Sequence, residues 1–307
     1  MKIIRTKLNY SHEVMMTDLA RLKKAFPNVE VGSIGISVMG RDIPYLRLGI
    51  GKKKVIYAAS FHANEWITTP LLMKFAENAL YAEQDGEVLQ NHCIKALFDE
   101  CSIYLVPMIN PDGVNLVTGV LRQGDMEYSI ARNIADNYPE IPFPSGWKSN
   151  IMGVDLNLQF EADWEQAREN KAKINITGPA PRDYVGPAPL SAPEAIAIHK
   201  FTENINPRLI LAYHTQGSVI YWQYKDLLPQ GGSREIGQVL AQVSGYPLDD
   251  TPFASGFAGY KDWFIEKYNR PGYTIEAGMG ESPLPLQDFD KIYAENEGVL
   301  IKAAILA

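Results

Sequence analysis

The residues best placed for chemistry are His62, Glu65, His214 and Glu276. His62-Ala63-Asn64-Glu65 sets a carboxylate three residues after an imidazole, a spacing that lets a ring nitrogen and a carboxylate oxygen reach one ion at about 2.0 to 2.2 Å. His214 offers a second imidazole. Two His and one Glu, with a fourth position left to water, form the donor set of a catalytic zinc site, one ion per chain. Glu276 lies in Tyr273-Thr-Ile-Glu276-Ala-Gly278. A carboxylate at the end of an apolar run is costly unless a site pairs or solvates it, and here it could act as general base toward a water that zinc has acidified to a pKa of about 7. The tetrapeptide alone is weak, because a His and a Glu on a solvated turn satisfy it equally well. The other histidines, His12, His92 and His199, read as surface or packing side chains.

These residues gain weight from what precedes them. Val55-Ile-Tyr-Ala-Ala-Ser60 leads into His62, Leu209-Ile-Leu-Ala-Tyr213 into His214, and Tyr273-Thr-Ile275 into Glu276. Each run is β-rich, and the carboxyl ends of strands are where open α/β sheets bind ligands. Further strands are expected at 45–50 and 102–106. Helical spacing marks 11–26, begun by Ser11 and stopped by Pro27, and also 69–82, 192–203 and 233–243; the third opens with Ser191 as N-cap and Pro193 just inside. Strands alternating with helices predict an α/β fold: one domain over 1–307, with a mixed, mostly parallel, twisted sheet and helices on both faces. Residues from about 123 to 186 show little periodicity and are expected to form long active-site loops.

With 307 residues, 46% of them hydrophobic, the chain can bury a sizeable core. The net charge of -7 and the lack of a Lys/Arg-rich run argue against a nucleic-acid partner. Cys93 and Cys101 read as two buried free thiols. The first residues carry no apolar h-region and no window reaches the length of a membrane span. The expectation is therefore no membrane partner and a cytoplasmic location; oligomeric state is left open.

Taken in order, several motifs resemble the zinc carboxypeptidase-like peptidases of the carboxypeptidase A fold. They are Gly35-Ile-Ser37 with Gly40-Arg41, His62-x-x-Glu65-Trp66, Asn110-Pro-Asp-Gly113, Gly153-Val-Asp155-x-Asn157, Tyr184-x-Gly186 with Pro193-Glu194, Tyr213-His214 and Ile275-Glu276. The resemblance implies that His62, Glu65 and His214 bind zinc and that Glu276 is the general base.

The departures bear on substrate. Members of that family follow the Asn at position 157 with an Arg, and the pair grips the C-terminal carboxylate of the substrate; here Leu158 follows, and leucine has no bidentate fork. Asn64 replaces an Arg in the zinc motif, and Phe253 replaces a Tyr before Ala-Ser-Gly. Lys148, after Trp147, stands where relatives use an Arg to polarise the scissile carbonyl. Trp147-Lys-Ser-Asn150, Val154-Asp-Leu-Asn-Leu-Gln-Phe160, Pro179-Ala-Pro-Arg-Asp-Tyr184 and Tyr260-Lys-Asp-Trp263 resemble the γ-D-glutamyl-L-diamino acid peptidases. A muropeptide substrate is thereby implied, cleaved between D-Glu and meso-diaminopimelate or lysine. Asn157 with Arg182 would hold substrate carboxylates, and Lys261 would meet the distal group of the diamino acid; for Arg182 and Lys261 a solvated charge or structural ion pair is an equal alternative. The rival functions are an ordinary metallocarboxypeptidase, a zinc N-acyl amino acid amidohydrolase and an inactive binding protein.

Overall fold

The computed structural model describes residues 3–227 and 229–307. Eight strands form one sheet: β1 (Glu30–Ile36), β2 (Asp42–Leu48), β3 (Lys53–Ala59), β4 (Cys101–Val106), β5 (Leu209–His214), β6 (Val219–Tyr221), β7 (Leu248–Asp249) and β8 (Gly272–Glu276). Their spatial order is β1-β2-β4-β3-β5-β8-β6-β7. The four central strands β4, β3, β5 and β8 run parallel, while β1, β2 and β6 join antiparallel.

Alternation along the central strands divides the core. Val55, Tyr57, Leu211, Tyr213, Tyr273 and Ile275 face one layer, packed by the helices His12–Ala25, Thr68–Asp85, Ser233–Ser244 and Phe289–Leu306. Ile56, Ala58, Ile210 and Ala212 face the other, covered by the helices Pro193–Ile205 and Tyr260–Tyr268 together with the 154–162 segment. Strands buried on both faces read as continuous apolar runs, which is why β3 and β5 stood out in the sequence. No described helix is long and apolar enough to cross a membrane.

Several sequence expectations need correction. The helix at 193–205 is capped by Ala192, not Ser191; the Ser191 hydroxyl and amide both donate to Gln159 Oε1. Cys93 is exposed and only Cys101 is buried. The 123–186 stretch holds two helices, Met126–Ala135 and Trp164–Ala172, within its loops. The strand β1, which contains Gly35, and the C-terminal helix Phe289–Leu306 have no counterpart among the elements expected from the sequence. Ser11 does cap its helix, its hydroxyl accepting from Val14 N–H at 3.3 Å.

Candidate metal centre

Three adjacent parallel strands deliver the chemistry to one edge. β3 ends at Ala59 and three residues later the chain turns into a 3-10 segment, Ala63–Glu65, that presents His62 and Glu65. His214 is the last residue of β5 and Glu276 the last of β8, and the two are register partners. Beyond Glu276, Gly278 turns the chain back at φ 75°, where a Cβ would lie 2.7 Å from Leu284 Cδ1; a side chain there would meet both strain and a clash.

The donor atoms converge. Glu65 Oε1 lies 2.9 Å from His62 Nδ1, Glu65 Oε2 lies 3.0 Å from His214 Nδ1, and the two Nδ1 atoms are 3.2 Å apart. Among the described residues this His-Glu-His group is the one cluster with ligand atoms close enough together to share an ion. Its surroundings fit a metal. His62 Nε2 lies 3.0 Å from Asp155 Oδ1, and a proton held on Nε2 by that carboxylate frees the Nδ1 lone pair for a cation, the usual arrangement behind a metal-bound imidazole. Asp155 is in turn fixed by the amides of Asn157 and Asp183. Thr215 N–H donates to Glu65 Oε2 at 3.2 Å.

The electrostatics show a site built for a positive charge. Burial opposes ionisation of Glu65, yet His62 and Lys148 hold its carboxyl well below the usual range. Burial opposes protonation of His62, but Glu65 and Asp155 outweigh it and push His62 up to about 9. His214 is lowered by burial. Burial and the neighbouring Glu65 raise Glu276 to about 8, so this carboxyl can hold a proton near neutral pH, as a group that takes and returns one must.

Lys148 is brought in by a loop. Its amide donates to Pro181 O and its carbonyl accepts from Ala63 N, while Asn110 caps the helix Pro111–Val117 and spends its amide hydrogens on Phe61 O and Ser149 O. The Lys148 ammonium lies 2.8 Å from Glu65 Oε1. Behind it, Glu194 accepts from Val38 N and Asn150 Nδ2, and Asp112 pairs with Arg41. The motifs scattered along the sequence thus form one scaffold.

The remaining candidates line a cleft of about 740 Å³ that opens from the metal centre. Asn157 Oδ1 accepts from Tyr260 N, which leaves its Nδ2 as the donor available to a ligand. Arg182 is half-exposed and uses Nε on Asp183 Oδ2 at 2.8 Å. Lys261 is buried, and its ammonium meets Gln223 O, Thr251 Oγ1 and Asp262 Oδ1 at 2.7, 3.1 and 2.6 Å. Two of its three hydrogens are donated to Gln223 O and Thr251 Oγ1, while Asp262 is met as an ion pair outside hydrogen-bond geometry. Asp155, Lys171 and Asp183 were not foreseen as site residues. Asp155 stands inside a recognised motif and could have been found there; the Lys171–Asp183 pair, at 2.6 Å on the cleft wall, has no local signal.

The sequence profile of the zinc carboxypeptidase family matches residues 15–297. The γ-D-glutamyl-L-diamino acid endopeptidase 1 of Lysinibacillus sphaericus is 43% identical over 308 residues, covering 99% of this chain and 74% of that protein. An uncharacterised protein of Bacillus subtilis is 38% identical over 297 residues, covering 96% of this chain and 77% of its own length. Among solved structures, bovine thrombin-activatable fibrinolysis inhibitor matches with a TM-score of 0.73 at 18% identity, over 98% of this chain and 97% of that one. That last likeness is one of fold.

Proposed function

The chain belongs to the zinc carboxypeptidase family, and from that premise we propose that it hydrolyses the amide between the γ-carboxyl of D-glutamate and an L-diamino acid in peptidoglycan stem peptides. His62, Glu65 and His214 would hold the zinc, which supplies a Lewis acid for water and carbonyl alike. Glu276 takes a proton from the attacking water and returns it to the departing amine. Lys148, at the junction of the cleft and the metal centre, stabilises the charge that develops on the carbonyl oxygen. Asn157 and Arg182 hold substrate carboxylates.

The observation that carries the substrate is position 158. Leu158 packs its side chain with Trp164, Ala167, Val185 and Ala258, so the place where the fold's carboxypeptidases present a guanidinium is hydrocarbon. A cleft without that fork gains little from a free α-carboxylate on the residue next to the scissile bond. Its walls instead carry Arg182 together with the Lys171–Asp183 and Lys261–Asp262 ion pairs, a polar surface suited to a side chain that is itself charged. The relative from Lysinibacillus sphaericus, similar over nearly the whole chain, bears a name that matches this reading.

The test is mass spectrometry of the zinc-loaded protein incubated with L-Ala-γ-D-Glu-meso-diaminopimelate, its lysine counterpart and an ordinary α-linked peptide. Release of L-Ala-D-Glu is expected. Cleavage of the α-peptide alone would overturn the assignment in favour of an ordinary carboxypeptidase, and zinc binding without cleavage of any of them would favour a binding protein.

A further inference from the structure

Glu276, Lys148, Arg182, Tyr221 and Ser255 line the first cleft on one side and a second cleft, of about 1110 Å³, on the other. If the first takes the leaving diamino acid, as proposed above, the second must take the acyl side of the substrate. Its far walls are the 140–146 loop and the turn at 281–282. Glu140 and Glu281 are both exposed there, and no cation pairs with either among the described residues. Between them Asn64 is 4% exposed. Its Nδ2 donates to Ser145 O and Ser282 O, while its Oδ1 is buried with no donor. A buried amide oxygen left without a partner is costly, so an N–H brought by a ligand would relieve that cost. The cleft therefore offers one orphaned acceptor and two unpaired carboxylates, and its cations, Lys148 and Arg182, are confined to the edge shared with the metal centre.

We infer that this second cleft selects substrates whose acyl side ends in a free α-ammonium, with Glu140 and Glu281 facing the charge and Asn64 Oδ1 accepting an N–H. The substrate class is then unacylated stem peptide, with L-Ala as its free N-terminus, rather than peptide still joined through that nitrogen to a sugar acid. Acylation removes the positive charge and two of the three N–H donors, leaving one that Asn64 Oδ1 can still accept.

The experiment compares kcat/KM for L-Ala-γ-D-Glu-meso-diaminopimelate with that for its N-acetyl derivative, in the zinc-loaded wild type and in E140Q/E281Q. The free amine is expected to be preferred roughly fivefold to tenfold, the size two partly exposed charge pairs would give. That preference should appear in KM, shrink in high salt and fall to about twofold or less in the double variant. Asn64→Ala should lower kcat/KM for both substrates and leave their ratio in place. Equal use of the two substrates by the wild type, or a preference that the double variant keeps, would overturn the inference while leaving the γ-glutamyl assignment intact. If only α-linked peptides are cleaved, that assignment fails, and the same comparison made on a free and an acetylated α-peptide still decides the role of this cleft.

Discussion

The metal-binding side of the cleft is made from strand ends, whereas the wall that would hold the leaving residue is made from loops. His214 and Glu276 close neighbouring parallel strands in register, and His62 follows the next strand by three residues. Their positions are set by main-chain hydrogen bonds of the sheet, which a change in one side chain does not move. Lys148, Asn157 and Arg182, by contrast, sit on loop segments joined by isolated main-chain bonds, such as Lys148 N–H to Pro181 O, and by the buried side chains of Asn110, Asp155, Gln159 and Glu194. A site on rigid elements keeps its chemistry while its loops vary, and here the loops carry the differences from ordinary carboxypeptidases.

If the strand-end half holds metal and base independently of the loops, Glu276→Gln should lower kcat about a thousandfold while zinc content stays near one per chain. Metal analysis beside steady-state kinetics checks this. Zinc loss together with activity would show that Glu276 is part of the metal support, and the two roles would no longer separate.

The loop-built half is probed next by Lys261→Met. Because the Lys261 ammonium donates to Gln223 O and Thr251 Oγ1 and is ion-paired with Asp262, the variant leaves the buried Asp262 without its cation, and a loss of about 3 kcal/mol is expected in denaturant unfolding. A stable variant with a raised KM for the diamino acid would instead make Lys261 a substrate contact. Lys148→Met should lower kcat about a hundredfold with a smaller change in KM, measured on the γ-glutamyl substrate. An unchanged kcat removes Lys148 from the mechanism.

The same contrast explains what could be read from sequence. Strand ends announce themselves: β3, β5 and β8 are short apolar runs, closed by the functional residue itself in β5 and β8 and followed by it after three residues in β3. The donor set and the base followed from that pattern. Loop-borne partners carry no such signal. Lys171, in the last turn of the helix Trp164–Ala172, and Asp183 are twelve residues apart with loop between them, and nothing local says that they pair. Ser191 looked like a helix cap because Ser before Pro-Glu satisfies the local rule, yet Gln159 competes for its hydroxyl and its amide from a distant segment. The helix at 126–135 escaped notice because only Ala131 and Ala135 on it are buried, too thin a stripe to show as periodicity.

A finer test of the loop anchoring comes from Glu194. This buried carboxyl joins the turn after β1, through Val38 N–H, to the segment that carries Lys148 and Asp155, through Asn150. Burial pushes its pKa up from the ordinary 4.5 to about 7, against the pull of those hydrogen bonds. The folded protein therefore holds a proton there that the unfolded chain releases above pH 4.5. The resulting stability is complete below pH 4.5, declines as pH rises and is gone once pH has passed through about 7, a loss of about 3 kcal/mol. Glu194→Gln keeps Oε1 for Val38 N–H and removes the titration. Unfolding free energies measured from pH 4.5 to pH 8.5 should converge on this account in a specific way: the wild type falls relative to the variant across the interval, and above pH 7 the difference stops changing. Parallel curves would mean that Glu194 is ionised in the fold at every pH in the range. Its contact with Asn150 would then be a charge-assisted anchor for the loop rather than a neutral one.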